Sequence, residues 1–150
     1  STAALCTYPD FYTAAVSSAG NHDNNIYNQW WGETHHGVRE VKSFEKKTVK
    51  DSITGKDTTI SVEKIKFETK IPTNIELAKN LKGYLMLVTG DVDNNVHPAN
   101  TYRVVNELIL QGKDFDLLIL PNQGHAFEGP YKSYFEKKKR DYFTKYLLAE

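Results

Sequence analysis

The chain has 150 residues, a length that fits one domain, and its 19 Lys and Arg residues balance 19 Asp and Glu residues. This zero net charge argues against a nucleic-acid-binding protein, which would carry a basic excess or a clustered basic face. A single cysteine, Cys6, excludes an internal disulfide and a multi-cysteine metal site. No run of about 18 apolar residues occurs, so we expect no membrane span.

The first part of the chain, up to about Gly32, is small, apolar and aromatic. Ser1 to Cys6 has neither a charged leader nor a long apolar stretch, so we expect the interior of a helix rather than a signal peptide. Tyr12 to Ser18 predicts a short buried strand. The turn-forming residues from Asn21 to Asn25 predict a polar loop.

Between about Glu33 and Asn80 the sequence becomes charged and β-branched. Lys47 to Lys70 alternates with a period of two residues on either side of Thr54-Gly55-Lys56, which predicts a β-hairpin. The polarity of this stretch is typical of the protein surface. We therefore interpret residues 33–80 approximately as a β-rich insertion.

The last part of the chain alternates strands and helices. Tyr84 to Gly90 is an apolar run typical of a strand buried on both faces. Pro98 is suited to open a helix and Gly112 to end it. Phe115 to Leu120 predicts a second buried strand, and Tyr131 to Leu148 an amphipathic helix. The order predicts a right-handed βαβ unit, so the fold class is α/β with a parallel sheet flanked by helices.

Functional groups in open α/β sheets collect at the carboxyl ends of the strands. Asp93 follows the first of these strands and His125 the second. A histidine that acts as a general base must be held in one tautomer and stabilised when protonated, and a neighbouring carboxylate does both. Gly124 would let the backbone turn just before His125. The alternative is an Asp that caps the helix at Pro98 and a solvent-facing histidine.

The same loop has a partial likeness to a calcium-binding loop. Asp91, Asp93 and Asn95 match the opening positions of such a loop. Its sixth position needs Gly and its twelfth Glu, and Val96 and Tyr102 stand there. An EF-hand is therefore excluded, and we expect no metal among the site residues.

Both loops resemble those of the prolyl oligopeptidase family, especially its dipeptidyl-peptidase IV branch. The family's aspartate loop has the form Gly-x-x-Asp-x-Asn-Val-His, which is matched by Gly90, Asp93, Asn95, Val96 and His97. Its histidine loop, Gly-His-x-Phe, is matched by Gly124, His125 and Phe127. The resemblance implies the C-terminal part of an α/β-hydrolase domain of a serine peptidase, with a peptide substrate and no cofactor.

The resemblance also implies roles for individual residues. Asp93 would orient His125, and Asn95 would contact a carbonyl group of the substrate. Val96 would belong to a proline-accepting pocket, and Tyr27 would be the one pocket aromatic retained from the segment after the first strand. Since other aromatics of that segment are missing, strict cleavage after proline does not follow.

The nucleophile of the family lies in a Gly-x-Ser-x-Gly-Gly elbow, which we expect about six residues before Ser1. Ser17 and Ser18 are not substitutes, because neither lies between glycines at a strand-to-helix turn. The family's N-terminal β-propeller is also absent from these residues. We therefore expect the isolated chain to be inactive. The resemblance favours a periplasmic or secreted parent over a cytoplasmic one, although the sequence itself leaves the compartment open.

Two other functions stay open at this point. The parent could be an esterase or acylaminoacyl hydrolase of the same fold, or a non-catalytic binding module that uses the β-rich insertion. A missing half-sheet would leave Tyr12 to Ser18 as an exposed edge strand, which predicts pairing with a second copy in a homodimer.

Overall fold

The structure is a computed structural model that describes residues 1–50, 52–68 and 71–148. Its helices are α1 (Thr2–Thr7), α2 (Gln29–His36), α3 (Asn74–Leu77), α4 (Ala99–Leu110) and α5 (Gly129–Phe143). Its strands are β1 (Ala14–Ser18), β2 (Arg39–Lys50), β3 (Asp57–Glu68), β4 (Tyr84–Gly90) and β5 (Asp116–Leu120). A 3₁₀ turn at Ala78–Asn80 follows α3, and a π-helical segment at Thr144–Leu148 follows α5.

The chain divides into two compact units. We call Ser1–Tyr27 with Ile71–Glu150 the sheet unit, and Asn28–Lys70 the hairpin unit. In the sheet unit, parallel strands lie in the order β1-β4-β5. The connection from β4 through α4 to β5 is the predicted βαβ unit, so the α/β class is confirmed. No helix in the described ranges is long and apolar enough to cross a bilayer.

Strand β4 lies at the centre of the sheet unit, and its side chains enter two cores because they alternate between the faces of the sheet. On one face, Leu85 and Leu87 pack with residues of α1 and α4, namely Leu5, Cys6, Val104 and Leu108. On the other face, Met86 and Val88 pack with Phe135 and Tyr142 of α5. Burial of β4 on both sides explains its uninterrupted apolar sequence.

The prediction that β5 is a buried strand is only half right. Leu118 and Leu120 pack in the core beside α5, whereas Leu117 and Ile119 are exposed. The reason is that Leu117 and Ile119 belong to neither core of the sheet unit. Among the described residues, β5 is an edge strand with β4 as its one neighbour. Strand β1 forms the opposite edge, as predicted for Tyr12 to Ser18. Dimerisation through that edge stays a prediction.

Helix α3 was not predicted, although the sequence carries a signal for it. The Glu76 N–H donates to Thr73 Oγ1 at 3.1 Å, and the Thr73 N–H donates to Glu76 Oε2 at 2.9 Å. This reciprocal pair is the capping box expected from Thr-x-x-Glu at a helix start. Just beyond α3, Ala78 and Leu81 enter the core of the sheet unit.

The hairpin unit consists of α2 and the antiparallel pair β2 and β3. The predicted hairpin is confirmed, with Gly55 in its turn at a left-handed φ of 67°. Strand β2 begins at Arg39, well before the predicted Lys47, and the predicted end at Lys70 lies outside the described residues. The predicted insertion, 33–80, overlaps this unit with different bounds, and its status as an insertion stays a prediction.

Candidate functional site

Two loops meet where β4 and β5 end, because these strands are parallel neighbours. The aspartate loop (residues 91–98) follows β4, and the histidine loop (residues 121–128) follows β5. The Asp91 N–H donates to the carbonyl of Leu120 at 3.3 Å, and the Val92 N–H donates to that of Gln123 at 3.2 Å. The two loops are therefore joined through their main chains.

Gly90 allows this close approach. A Cβ atom at this position would lie 2.1 Å from the carbonyl oxygen of Gln123 and 2.6 Å from that of Gly124. Both neighbours are main-chain atoms, which cannot move aside as the end of a long side chain can. Any larger residue at the end of β4 would push the histidine loop away from the aspartate loop.

Asp93 and His125 form a hydrogen bond between the loops, with 3.0 Å from His125 Nδ1 to Asp93 Oδ2. The Asp93 side chain is 0% exposed, whereas that of His125 is 45% exposed. Asp93 Oδ1 accepts the N–H groups of Asn95 and Val96, each at 2.9 Å. An ionised carboxylate only accepts hydrogen bonds, so the proton belongs on Nδ1 and leaves His125 Nε2 able to accept one.

The histidine loop is anchored on both sides of His125. Phe127 packs edge-to-face on Phe135 of α5, with 5.2 Å between ring centroids. The Glu128 N–H donates to Gln123 Oε1 at 2.9 Å. These contacts fix the backbone that carries the imidazole, although the ring itself is accessible.

The sharp turn in this loop lies at a different residue from the one predicted. Asn122 has a left-handed φ of 56°, which asparagine tolerates better than most residues. A Cβ atom on Gly124 would meet nothing within 4 Å, and its φ is not positive. The expectation that Gly124 turns the chain before His125 is therefore wrong, because Asn122 does so.

The three residues predicted to bind substrate also lie in the sheet unit. The Tyr27 hydroxyl donates to Asn95 Oδ1 at 2.6 Å, so these two side chains are in direct contact. Tyr27 is half-buried and Asn95 is exposed. Val96 is buried, and the structure joins it to Asp93 through its main-chain N–H.

Sequence reasoning missed a buried polar pair beside this group. Asp23, in the loop after β1, is buried and bonds Arg103 of α4, with 2.7 Å from Oδ2 to Nη1. Its position at the carboxyl end of a third parallel strand was the available signal. Because residues 21–25 are typical turn formers, the sequence predicts a polar loop there rather than a buried aspartate.

His22, next to Asp23, is also buried, and its Nδ1 lies 2.8 Å from Asn74 Nδ2. Burial lowers the pKa of His22 to about 4. The Asn74 Nδ2 group can only donate, so His22 Nδ1 accepts and the ring is neutral. His22 is therefore a structural, uncharged histidine, unlike the accessible His125.

Both oxygens of Asp93, the middle residue of the calcium-like pattern, accept hydrogen bonds from protein groups. Within residues 1–50, 52–68 and 71–148, no three His, Cys, Asp or Glu side chains group as metal ligands.

Comparison with known proteins gives a consistent match. The prolyl oligopeptidase family model matches residues 1–150. A 42-residue stretch is 45% identical to dipeptidyl peptidase family member 1 of Caenorhabditis elegans, over 28% of this chain and 5% of that protein.

Two solved structures have a similar fold. One is described as a dipeptidyl aminopeptidase IV from Bacteroides ovatus, with a TM-score of 0.73 and 22% identity. The other is Porphyromonas gingivalis dipeptidyl peptidase 4, with a TM-score of 0.72 and 21% identity. Each match covers 97% of this chain but only 17% and 18% of those chains, respectively. The 150 residues thus span under a fifth of either solved relative.

Proposed function

Because this chain belongs to the prolyl oligopeptidase family, a family of serine peptidases, we propose that it is part of the catalytic domain of a dipeptidyl aminopeptidase. Asp93 and His125 are two members of a Ser-His-Asp triad. The serine lies outside these 150 residues, in an elbow before Ser1. The substrate is a peptide with a free amino end.

The observation that carries this proposal is the 3.0 Å hydrogen bond between His125 Nδ1 and Asp93 Oδ2 at adjacent strand ends. Asp93 is not a solvent-facing carboxylate, because its side chain is 0% exposed and is held by two further N–H donors. This arrangement fixes the tautomer of His125 and leaves its outer nitrogen free for a proton. Asp93 does not cap α4, because that helix begins at Ala99 with Pro98 at its N-cap.

The chemistry follows the acyl-transfer scheme. The serine oxygen bonds to the peptide carbonyl carbon while His125 Nε2 takes the hydroxyl proton. The imidazolium then gives this proton to the leaving amine as the C–N bond breaks. Water repeats the sequence on the acyl-enzyme and releases the acid. Asp93 keeps its negative charge throughout and stabilises the imidazolium.

The contact between Tyr27 and Asn95 supports a dipeptidyl substrate. Because the Tyr27 hydroxyl donates to Asn95 Oδ1, the amide Nδ2 of Asn95 remains a hydrogen-bond donor. Asn95 is exposed and lies two residues from Asp93, so this donor can meet a peptide carbonyl on the amino side of the scissile bond. A simple ester has no such carbonyl.

Asp93→Asn in the full-length protein tests the triad. We expect kcat on dipeptidyl 4-nitroanilides to fall about 10⁴-fold, since the amide no longer selects the correct histidine tautomer. Asp91→Asn is the matched control, because Asp91 is an exposed aspartate of the same loop. It should change kcat less than about threefold.

Three outcomes separate the alternatives. A loss below tenfold for Asp93→Asn would remove Asp93 from the triad. Hydrolysis of simple esters or acylaminoacyl amides in preference to dipeptidyl amides would favour the esterase or acylaminoacyl hydrolase. No turnover by the full-length protein and no labelling by a serine-directed phosphonate would favour the binding module. The isolated 150 residues should be inactive in every case.

A further inference from the structure

Asp23 has more hydrogen-bond partners than a surface ion pair requires. Besides Arg103, it accepts the main-chain N–H and the side-chain amide of Asn25, both at 3.0 Å from Oδ1. Its own N–H donates to Asn100 Oδ1 at 3.3 Å. Arg103 and Asn100 both belong to α4. The loop after β1 is thus bound to the helix that follows the aspartate loop.

The same loop is bound on its other side to the segment before β4. Asn25 Nδ2 donates to the carbonyl of Ile71 at 2.9 Å, and the Ile71 N–H donates to Asn25 Oδ1 at 2.8 Å. The Asn74 N–H donates to the carbonyl of His22 at 2.9 Å. Residues 22–25 therefore have little freedom to move, even though they form a loop.

Tyr27 follows this fixed segment directly and extends its hydroxyl to Asn95. Asn95 lies just before α4, the helix that carries Arg103. The bond between Asp23 and Arg103 and the bond between Tyr27 and Asn95 therefore join the same two parts of the chain. A shift of one bond displaces the other, because only short stretches of backbone separate them.

We infer that Asp23, through Arg103, is a positioning residue that sets the hydrogen bond between Tyr27 and Asn95. By this route it fixes the Asn95 amide donor for the substrate carbonyl on the amino side of the scissile bond. The inference rests on the proposed function, because it assigns a cause to the geometry of that substrate site. Asp23 itself touches no reacting group.

The test is a double-mutant cycle on the full-length protein with a dipeptidyl 4-nitroanilide. Asp23→Asn should raise KM about tenfold and leave kcat within about twofold, since a charge-assisted bond that supports binding is lost. Tyr27→Phe removes the hydroxyl that contacts Asn95. In the Tyr27→Phe background, Asp23→Asn should raise KM less than twofold, because the hydrogen bond from Tyr27 to Asn95, through which Asp23 acts, is already absent.

A purely stabilising role gives a different result. It would lower the unfolding midpoint in both backgrounds, and the KM effects would be additive or absent. Either of those KM outcomes overturns the inference. Asp10→Asn is the matched control, because Asp10 pairs with Lys82 at 2.8 Å on the surface. This control should leave KM unchanged.

If Asp23→Asn does not fold, substitutions of Arg103 test the same ion pair. The Arg103 side chain is 47% exposed, so we expect its replacement to disturb folding less. Arg103→Gln should raise KM, and Arg103→Lys should recover part of the loss by keeping the charge. Equal KM values for both variants and the wild type overturn the inference. A wild-type protein with neither turnover nor phosphonate labelling overturns the proposed function itself, whereas an active wild type with additive KM effects overturns the positioning role alone.

Discussion

The sheet unit and the hairpin unit are stabilised in different ways. In the sheet unit, residues of β4 are buried on both faces of the sheet by helices α1, α4 and α5. In the hairpin unit, nearly every residue of β2 and β3 is exposed. Its side chains interact mainly across the strand pair, as in the ion pairs of Lys42 with Glu63 at 2.7 Å and Lys64 with Glu45 at 3.0 Å.

This difference agrees with the distribution of the candidate site. All five predicted site residues lie in the sheet unit: Tyr27, Asp93, Asn95, Val96 and His125. A hydrogen bond that must keep its geometry needs a support packed from both sides. A two-stranded hairpin has only marginal stability by itself and does not offer such support. We therefore expect the two units to differ in stability as much as they differ in burial.

The largest expected effect is that of removing a core side chain from β4. Leu87 is 0% exposed, and Leu87→Ala should lower the free energy of unfolding by about 4 kcal/mol through lost burial and a cavity. Urea unfolding, followed by hydrogen exchange of peptides from β4, measures this loss.

The hairpin unit offers a matched control in Ile65→Ala on β3. Ile65 is 51% exposed, so the substitution should lower stability by less than about 1 kcal/mol. Hydrogen exchange of the peptides that contain Ile65 measures this change. If Leu87→Ala and Ile65→Ala lower the free energy of unfolding by similar amounts, the exposed hairpin side chains contribute as much to stability as the buried ones, which would contradict this comparison.

A smaller effect is expected for Gly90→Ala, at the point where β4 meets the histidine loop. The new methyl group would overlap the Gln123 carbonyl, so we expect a loss of about 3 kcal/mol. Displacement of His125 from Asp93 should also lower kcat about 10²-fold in the full-length protein. The measurements are urea unfolding and turnover of a dipeptidyl 4-nitroanilide.

Gly55→Ala is the control for this change in the hairpin unit. Gly55 has a left-handed φ but no atom within 4 Å of a new Cβ, so the cost should be about 1 kcal/mol of backbone strain. Turnover should stay unchanged. A normal kcat for Gly90→Ala would show that the loops tolerate separation.

Much of the sheet unit could be predicted because its signals are local. A continuous apolar run identifies β4, and Pro98 and Gly112 mark the ends of α4. The rule that parallel neighbours end at one edge of a sheet then predicts that Asp93 and His125 lie together, and they form a hydrogen bond in the structure. Their catalytic role stays a prediction, since contact alone does not assign it.

The remaining features depend on contacts between distant parts of the chain. Asp23 meets Arg103 across 80 residues of sequence, and no local pattern records such a pair. The exposure of one face of β5 likewise depends on which distant residues pack against that face. The prediction that Gly124 turns the chain was wrong because the left-handed residue of this loop is Asn122, and asparagine also tolerates that conformation.

The smallest effect expected in the sheet unit comes from a change of pH, which separates the two units without changing a core contact. The pKa of His22 is about 4 when folded, against 6.5 for an unburied histidine. The unfolded chain therefore binds more protons in this range, and stability is lost as the pH falls from 6.5 toward 4. Between pH 7 and pH 5 the sheet unit should lose about 2 kcal/mol, which hydrogen exchange of peptides from residues 19–27 measures.

The stability of the hairpin unit should not change between pH 7 and pH 5. A hydrogen bond from Lys64, with its positive charge, lowers the pKa of Glu45 below its ordinary 4.5, so this carboxylate remains ionised and paired at pH 5. His22→Gln should abolish the pH dependence of the sheet unit, because no group that gains a proton remains at that position. If the variant and the wild type lose equal stability between pH 7 and pH 5, a group other than His22 is responsible, and burial does not hold this histidine neutral.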